Sequence, residues 1–158
     1  MFHSLRFNPS TGAVLNQVIS SDSSAVIGDD QIAVTAEEWA AWREYRVEAG
    51  KLVKLDAATV SAQRISSFLA EVSAALEASV DAVAVAWGYK DGATLASWAA
   101  SAVKAWAADA KAFVTWRDAV WTAYLAAAAD IQSGKSDLPA SAADLIETLP
   151  AAPSKPGA

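Results

Sequence analysis

Two pairs of adjacent carboxylates are the residues whose type could support acid–base chemistry, Asp29-Asp30 and Glu37-Glu38. General acid–base catalysis needs two groups that face one site, whereas adjacent residues on a helix point in different directions. Glu37 and Glu38 also stand where a predicted helix N-terminus favours negative charge. Asp29 and Asp30 follow Gly28 in a predicted turn, where Asp commonly bonds to nearby backbone. We therefore interpret both pairs as structural.

Other catalytic chemistry is restricted by composition. The 158 residues include no cysteine and a single histidine, His3. Cysteine nucleophiles, disulfides and thiolate metal sites are thereby excluded, and little is left for an imidazole metal site or a Ser-His-Asp triad. Neither common type of Gly-rich phosphate-binding loop is present. From the residues alone we expect no catalytic residues, no metal and no cofactor.

The most distinctive local cluster is Trp116-Arg117-Asp118 with Trp121. A guanidinium that stacks on indole and pairs with a carboxylate is a stable arrangement for a half-buried polar group. One interpretation is a structural Arg that ties helices together, and the other is an Arg that binds a partner. Tryptophan is a typical anchor of protein interfaces. The candidate partner-binding residues are Trp39, Trp42, Trp116, Arg117 and Trp121.

Trp98 and Trp106 are eight residues apart and are predicted to lie on one face of a helix. Because alanine is abundant around them, they are interpreted as core or helix–helix packing residues that fill gaps between Ala-rich faces. An exposed protein-binding patch is the alternative. Self-association through an Ala- and Trp-rich face also stays open.

The charge balance bears on partners and location. The net charge is −6, which argues against binding a nucleic-acid backbone, since that needs clustered Lys and Arg. No apolar run follows Arg6, so no signal peptide is predicted. The apolar segments 92–103 and 119–129 are bounded by charges and fall short of the roughly 18–20 residues of a membrane span. We expect a cytoplasmic protein that binds neither nucleic acid nor membrane.

Composition changes near Asp56 and divides the chain. Gly, Asn, paired Ser and β-branched runs precede it, whereas Ala, Val, Leu and Trp dominate after it. The predicted class is α+β: a small N-terminal β-rich module with one helix (1–56), then a mainly α-helical module of antiparallel helices (57–150). The tail, 151–158, is rich in Pro, Gly and small residues and is predicted to be mobile.

In the first module, a strand–loop–strand hairpin is predicted around the turn residues 8–12, and Thr35 and Glu38 have the form of a capping box. The helix that follows is expected over 36–47, closed by Gly50. The predicted strands are 4–7, 13–19, 25–27, 31–34 and 52–55.

In the second module, apolar spacings of three and four predict a helix over 58–86 and another over 94–132. The latter exceeds the usual globular length, so a break is expected near 107–111. Gly134 should end this helix, and Ser141 is a plausible N-cap for a short helix to Thr148.

Short segments in the N-terminal and C-terminal parts of the sequence resemble known protein families. Residues 7–12 (FNPSTG), 26–27, 32–39 (IAVTAEEW) and 50–53 (GKLV) resemble the opening of tail fibre assembly proteins of tailed bacteriophages and prophages. The C-terminal part is similar to a helical domain found at the C-termini of phage tail-associated proteins. The matching segments are Gly88-Tyr89, 95–99 (LASWA), 116–121 (WRDAVW), Gly134, Leu138-Pro139 and 145–150.

The resemblance implies a non-enzymatic, chaperone-like protein that binds the tail fibre protein, expected as a trimer, and helps it to fold, trimerise or attach. It implies action in the host cytoplasm during assembly and supplies no catalytic residues. The alternative is a permanent component of the virion tail, either fibre-associated or a baseplate adaptor. A third class, a small enzyme or ligand-binding protein with a pocket among the tryptophans, lacks a convergent polar set in the sequence.

Overall fold

The computed structural model describes residues 1–21 and 27–156. It confirms the α+β class: the described strands all lie before Asp56, and the part that follows is mainly helical. By its internal contacts the chain forms two compact units, divided after Gln63. Of the strand predicted at 25–27, residues 25 and 26 lie outside the described residues.

An antiparallel sheet forms the centre of the first unit. Strands β1 (Phe2–Phe7), β2 (Val14–Ser20) and β3 (Gln31–Ala33) lie in the order β2-β1-β3. The predicted hairpin is confirmed, with Leu5 of β1 opposite Gln17 of β2. Leu5 is also opposite Ile32 of β3 and is fully buried. The sheet is therefore centred on β1.

The helix predicted over 36–47 is shorter than expected. Helix α1 (Ala36–Ala40) begins with the predicted capping box but is followed by a 3-10 turn, Trp42–Glu44. Strand β4 (Tyr45–Glu48) then pairs antiparallel with β5 (Lys51–Lys54). Ala49 and Gly50 have φ of 47° and 74°. Positive φ at both central residues is typical of a type I′ two-residue hairpin turn, so Gly50 serves this turn and not a helix end.

The second unit is built on two long helices that run antiparallel, as predicted. Helix α2 (Ala57–Ala86) contains the division between the units, and α4 spans Lys104–Gln132. Between the first half of α2 and the second half of α4, the Tyr124 hydroxyl donates to the Leu69 carbonyl at 2.8 Å. Near the end of α2, the rings of Phe113 and Trp87 lie 6.3 Å apart. The buried core residues of α2 recur at spacings of three and four: Leu69, Val72, Leu76, Val80 and Ala84.

The break predicted near 107–111 is wrong in position, because those residues lie inside continuous α4. The interruption comes earlier: α3 (Gly92–Ser97) is followed by a 3-10 turn, Trp98–Ala100, before α4 begins. Ser101 is extended, and its hydroxyl accepts from the Val103 amide at 3.1 Å. Serine offers the backbone this local alternative to a helical bond, which accounts for the interruption.

The remaining helix, α5 (Ala142–Glu147), begins with the predicted Ser141 N-cap. Gly134 follows α4 with a φ of 73°, as expected for a residue just past a helix end. After α5 the chain has no regular secondary structure through Pro156, the last described residue. The mobility predicted for this tail stays a prediction.

Candidate functional site

Trp39 is held in the first unit by three contacts. Its indole N–H donates to the Val18 carbonyl of β2 at 3.2 Å, and its carbonyl accepts from the Gln17 side chain at 2.6 Å. Its ring lies 5.2 Å from that of His3. The side chain thus fastens α1 to the sheet, and it remains half-buried.

Trp42 is also half-buried in the first unit, in the 3-10 turn that follows α1. The Arg43 guanidinium carbon lies 4.3 Å from the centroid of its ring, a cation–π contact. The indole face is therefore covered by its own neighbour in the chain.

Trp116 lies in the core of the second unit, with 8% of its surface exposed. Its ring is 5.9 Å from that of Phe113, and its indole N–H donates to the Pro150 carbonyl at 2.9 Å. Its one polar atom thus has a partner inside the fold. Trp116 therefore packs inside the second unit and offers little surface to a partner.

Arg117 and Trp121 are partly exposed on α4. The Arg117 guanidinium pairs with its neighbour Asp118, at 2.9 Å from Nη2 to Oδ1. The indole of Trp121 packs edge-on against Tyr124, with centroids 5.7 Å apart. Each side chain thus already has a contact on its own helix.

A cleft of about 810 Å³ in the second unit brings together residues that the sequence did not single out as a site. It lies where the end of α2, the 3-10 turn after α3 and the first turns of α4 meet the C-terminal segment. We call it the aromatic cleft. Its principal residues are Trp87, Tyr89, Trp98, Trp106, Asp109 and Lys155.

Trp98 and Trp106 form an exposed aromatic pair in this cleft. Their ring centroids are 4.8 Å apart in an edge-to-face arrangement. The two side chains are 37% and 44% exposed. On one continuous helix, residues eight apart would be separated by about 12 Å along the axis. The interruption at 98–103 is therefore what brings them into contact.

Asp109 places a buried carboxylate beside the cleft. The residue is 3% exposed, and its Oδ2 accepts from the Tyr89 hydroxyl at 3.0 Å. Its Oδ1 is buried without a hydrogen-bond partner among the described residues. Burial raises the pKa of Tyr89, and the hydrogen bond to Asp109 and the negative charge of that carboxylate raise it further.

Lys155 brings a cation to this carboxylate from the C-terminal segment. Its Nζ lies 3.6 Å from Asp109 Oδ2 and donates to the Trp87 carbonyl at 2.7 Å. The ammonium is also 5.5 Å from the Tyr89 ring centroid. Trp87 follows the last residue of α2, where helix carbonyls lack intrahelical partners and favour a cation. The carbonyl, the carboxylate and the Tyr89 ring thus surround the Lys155 ammonium.

No group of three or more His, Asp or Glu in residues 1–21 and 27–156 is placed to hold a metal ion. In the same part of the chain, none of the helices combines the length and apolar character of a membrane-spanning segment. Comparison with protein-family models, with curated proteins and with solved structures finds no match for this chain.

Proposed function

We propose that the chain is a non-enzymatic tail fibre assembly protein that binds the tail fibre protein and assists its folding, trimerisation or attachment. The resemblance of short segments such as FNPSTG and WRDAVW to segments of phage tail proteins supports this proposal. The structural observation that supports it best is the exposed pair Trp98–Trp106 in the aromatic cleft. Exposed, clustered tryptophans are typical of protein interfaces.

The physical role follows from what an unassembled fibre chain exposes. Long β segments have unpaired edges and apolar surface that aggregate until the trimer forms. An aromatic pair can cover apolar surface on such a chain, since removing it from water is favourable. The net charge of −6 favours solubility of the chain itself.

A second surface, the outer edge of β2, fits strand addition less well. The Trp39 indole already donates to the Val18 carbonyl of this strand. Ala13, the residue just before β2, forms an antiparallel β-bridge with Arg46. Main-chain groups that have partners are less available to an added strand. We therefore assign partner binding to the aromatic cleft.

The test is co-expression of the tail fibre protein with and without this chain, with soluble trimeric fibre as the readout. We expect the chain to raise the soluble trimer yield. The variant Trp98→Ala/Trp106→Ala should lose this effect while keeping the far-UV circular dichroism spectrum of the unaltered chain. Equal yields of soluble trimer with and without the chain would contradict the proposal.

The alternative is that the chain is a permanent component of the virion tail. Mass spectrometry of purified particles distinguishes it from an assembly protein. An assembly protein that acts in the host cytoplasm and then dissociates should be absent from them. A constant ratio of this chain to the fibre protein in the particle would instead favour the structural component.

A further inference from the structure

Three groups in the aromatic cleft converge on one ammonium. They are the Trp87 carbonyl, the Asp109 carboxylate and the ring of Tyr89, and we call them the lysine socket. An ammonium has three donors and no acceptor, so it matches two oxygen acceptors and an aromatic face. The charge of the carboxylate is balanced only when a cation is present.

The socket is held in place by the fold. Asp109 lies on α4, is almost completely buried, and is held by the Tyr89 hydroxyl. Its Oδ1 has no hydrogen-bond partner in the described part of the chain. Burying a carboxylate is costly unless a counter-charge and hydrogen bonds compensate it. A lysine-like cation beside the Asp109 carboxylate is therefore favoured.

The present occupant belongs to a segment with few anchors. Residues 150–156 have no regular secondary structure. Their described hydrogen bonds join the Pro150 carbonyl to Trp116 of α4, and Lys155 to the carbonyl of Trp87, just after α2. A cavity of about 470 Å³ lies beside this segment, lined by Pro150, Ala151 and Pro153 together with residues of α4. The segment is therefore held by side-chain hydrogen bonds to single backbone carbonyls and not by helical or β-ladder hydrogen bonds.

We propose that the lysine socket recognises a lysine of an extended partner segment, and that Lys155 is the intramolecular occupant that this lysine displaces. Charge complementarity identifies the ligand class, because the buried carboxylate needs a cation. The adjacent Trp98–Trp106 pair would contact apolar residues that flank the partner lysine. The partner's identity rests on the proposed function, whereas the ligand chemistry rests on the socket.

The first experiment uses the full chain and a synthetic peptide with the sequence of residues 150–158, PAAPSKPGA. In the variant Lys155→Met, the stem is retained and the charge is removed, so the socket loses its own cation. Calorimetric titration should show that Lys155→Met binds the peptide about tenfold more tightly than the unaltered chain, which pays for displacing its own lysine. Equal affinities would overturn the proposal.

The second experiment tests which group does the recognition. The same peptide with methionine in place of its lysine should not bind measurably to Lys155→Met. Adding Asp109→Asn, which keeps the side-chain shape, should abolish binding of the lysine peptide, and circular dichroism should show that the double variant is folded. Binding of the methionine peptide with equal affinity would overturn the socket. Should Asp109→Asn prevent folding, Tyr89→Phe in the Lys155→Met background replaces it and must weaken binding.

The two proposals can fail separately. Lysine-dependent peptide binding without binding of the fibre protein would support the socket and contradict the proposed function. Binding of the fibre protein by a chain that shows no lysine-dependent peptide binding would overturn the socket alone.

Discussion

Gly12 joins the two hairpins of the first unit. It has a φ of 71°, and its carbonyl accepts from the Val47 amide at 2.8 Å. A Cβ at this position would overlap the Val47 carbonyl oxygen. We predict that Gly12→Ala lowers the free energy of unfolding by roughly 2 kcal/mol or more, because strain at positive φ adds to this overlap. Urea denaturation measures the change.

Gly50 provides the matched control for this prediction. Its φ of 74° is nearly the same, but a Cβ there would meet nothing within 4 Å. Gly50→Ala should cost only the backbone strain, about 1 kcal/mol. If the two variants lost equal stability, the close approach of Gly12 to β4 would not be supported.

At the residue scale, the sequence shows that several tryptophans recur at helical spacing. It does not show which of them are exposed. Trp116 and Trp106 both fit an apolar stripe, yet the first is buried and the second is 44% exposed. Asp109 is a lone acid in an Ala-rich run, and its partners are 20 and 46 positions away, at Tyr89 and Lys155. Local spacing carries no signal for such contacts.

At the element scale, Asp91 is the N-cap of α3. Its Oδ1 accepts from the Thr94 amide at 2.6 Å, and this hydrogen bond, together with one from the Thr94 side chain, holds its pKa below the usual 3.8. A lowered pKa contributes stability above the unfolded-state pKa, and the contribution is lost as pH falls through the folded-state pKa. The charged cap should therefore stabilise the protein at neutral pH but not in strong acid.

Asp91→Asn isolates this charge, because Asn also caps helices well. We predict that the variant unfolds at a lower temperature than the unaltered chain near neutral pH, and that the difference shrinks below about pH 4. Thermal unfolding over a pH series measures it. Asp137→Asn, at an exposed position outside the helices, is the matched control. A difference that stayed constant into strong acid would contradict the assignment.

The long helices were predictable because their apolar spacing is set by their own sequence, as in Leu69 to Ala84 of α2. Strand β4 was missed because residues 36–47 contain good helix formers at their start. The outcome depends on Tyr45 and Val47 pairing with β5 and on the contact of Val47 with Gly12. That last contact spans 35 positions, so local propensity could not reveal it.

At the scale of the whole molecule, the α+β class could be predicted from the sequence, because composition changes near Asp56. The aromatic cleft could not, because its principal residues come from four separate stretches of chain: 87–89, 98, 106–109 and 155. Only the antiparallel packing of α2 and α4, with the interruption before α4, brings these stretches together. The account therefore depends on whether this cleft is where a partner binds.

The most direct measurement is the affinity of the purified chain for the tail fibre protein, compared with that of Trp98→Ala/Trp106→Ala. Leu125→Ala is the matched control, since Leu125 is 62% exposed on the same helix and lies about 28 Å from Trp106 along it. We predict that the double variant binds about tenfold more weakly or worse, as expected for interface tryptophans, and that Leu125→Ala binds as the unaltered chain does. An unchanged affinity of the double variant would contradict the account.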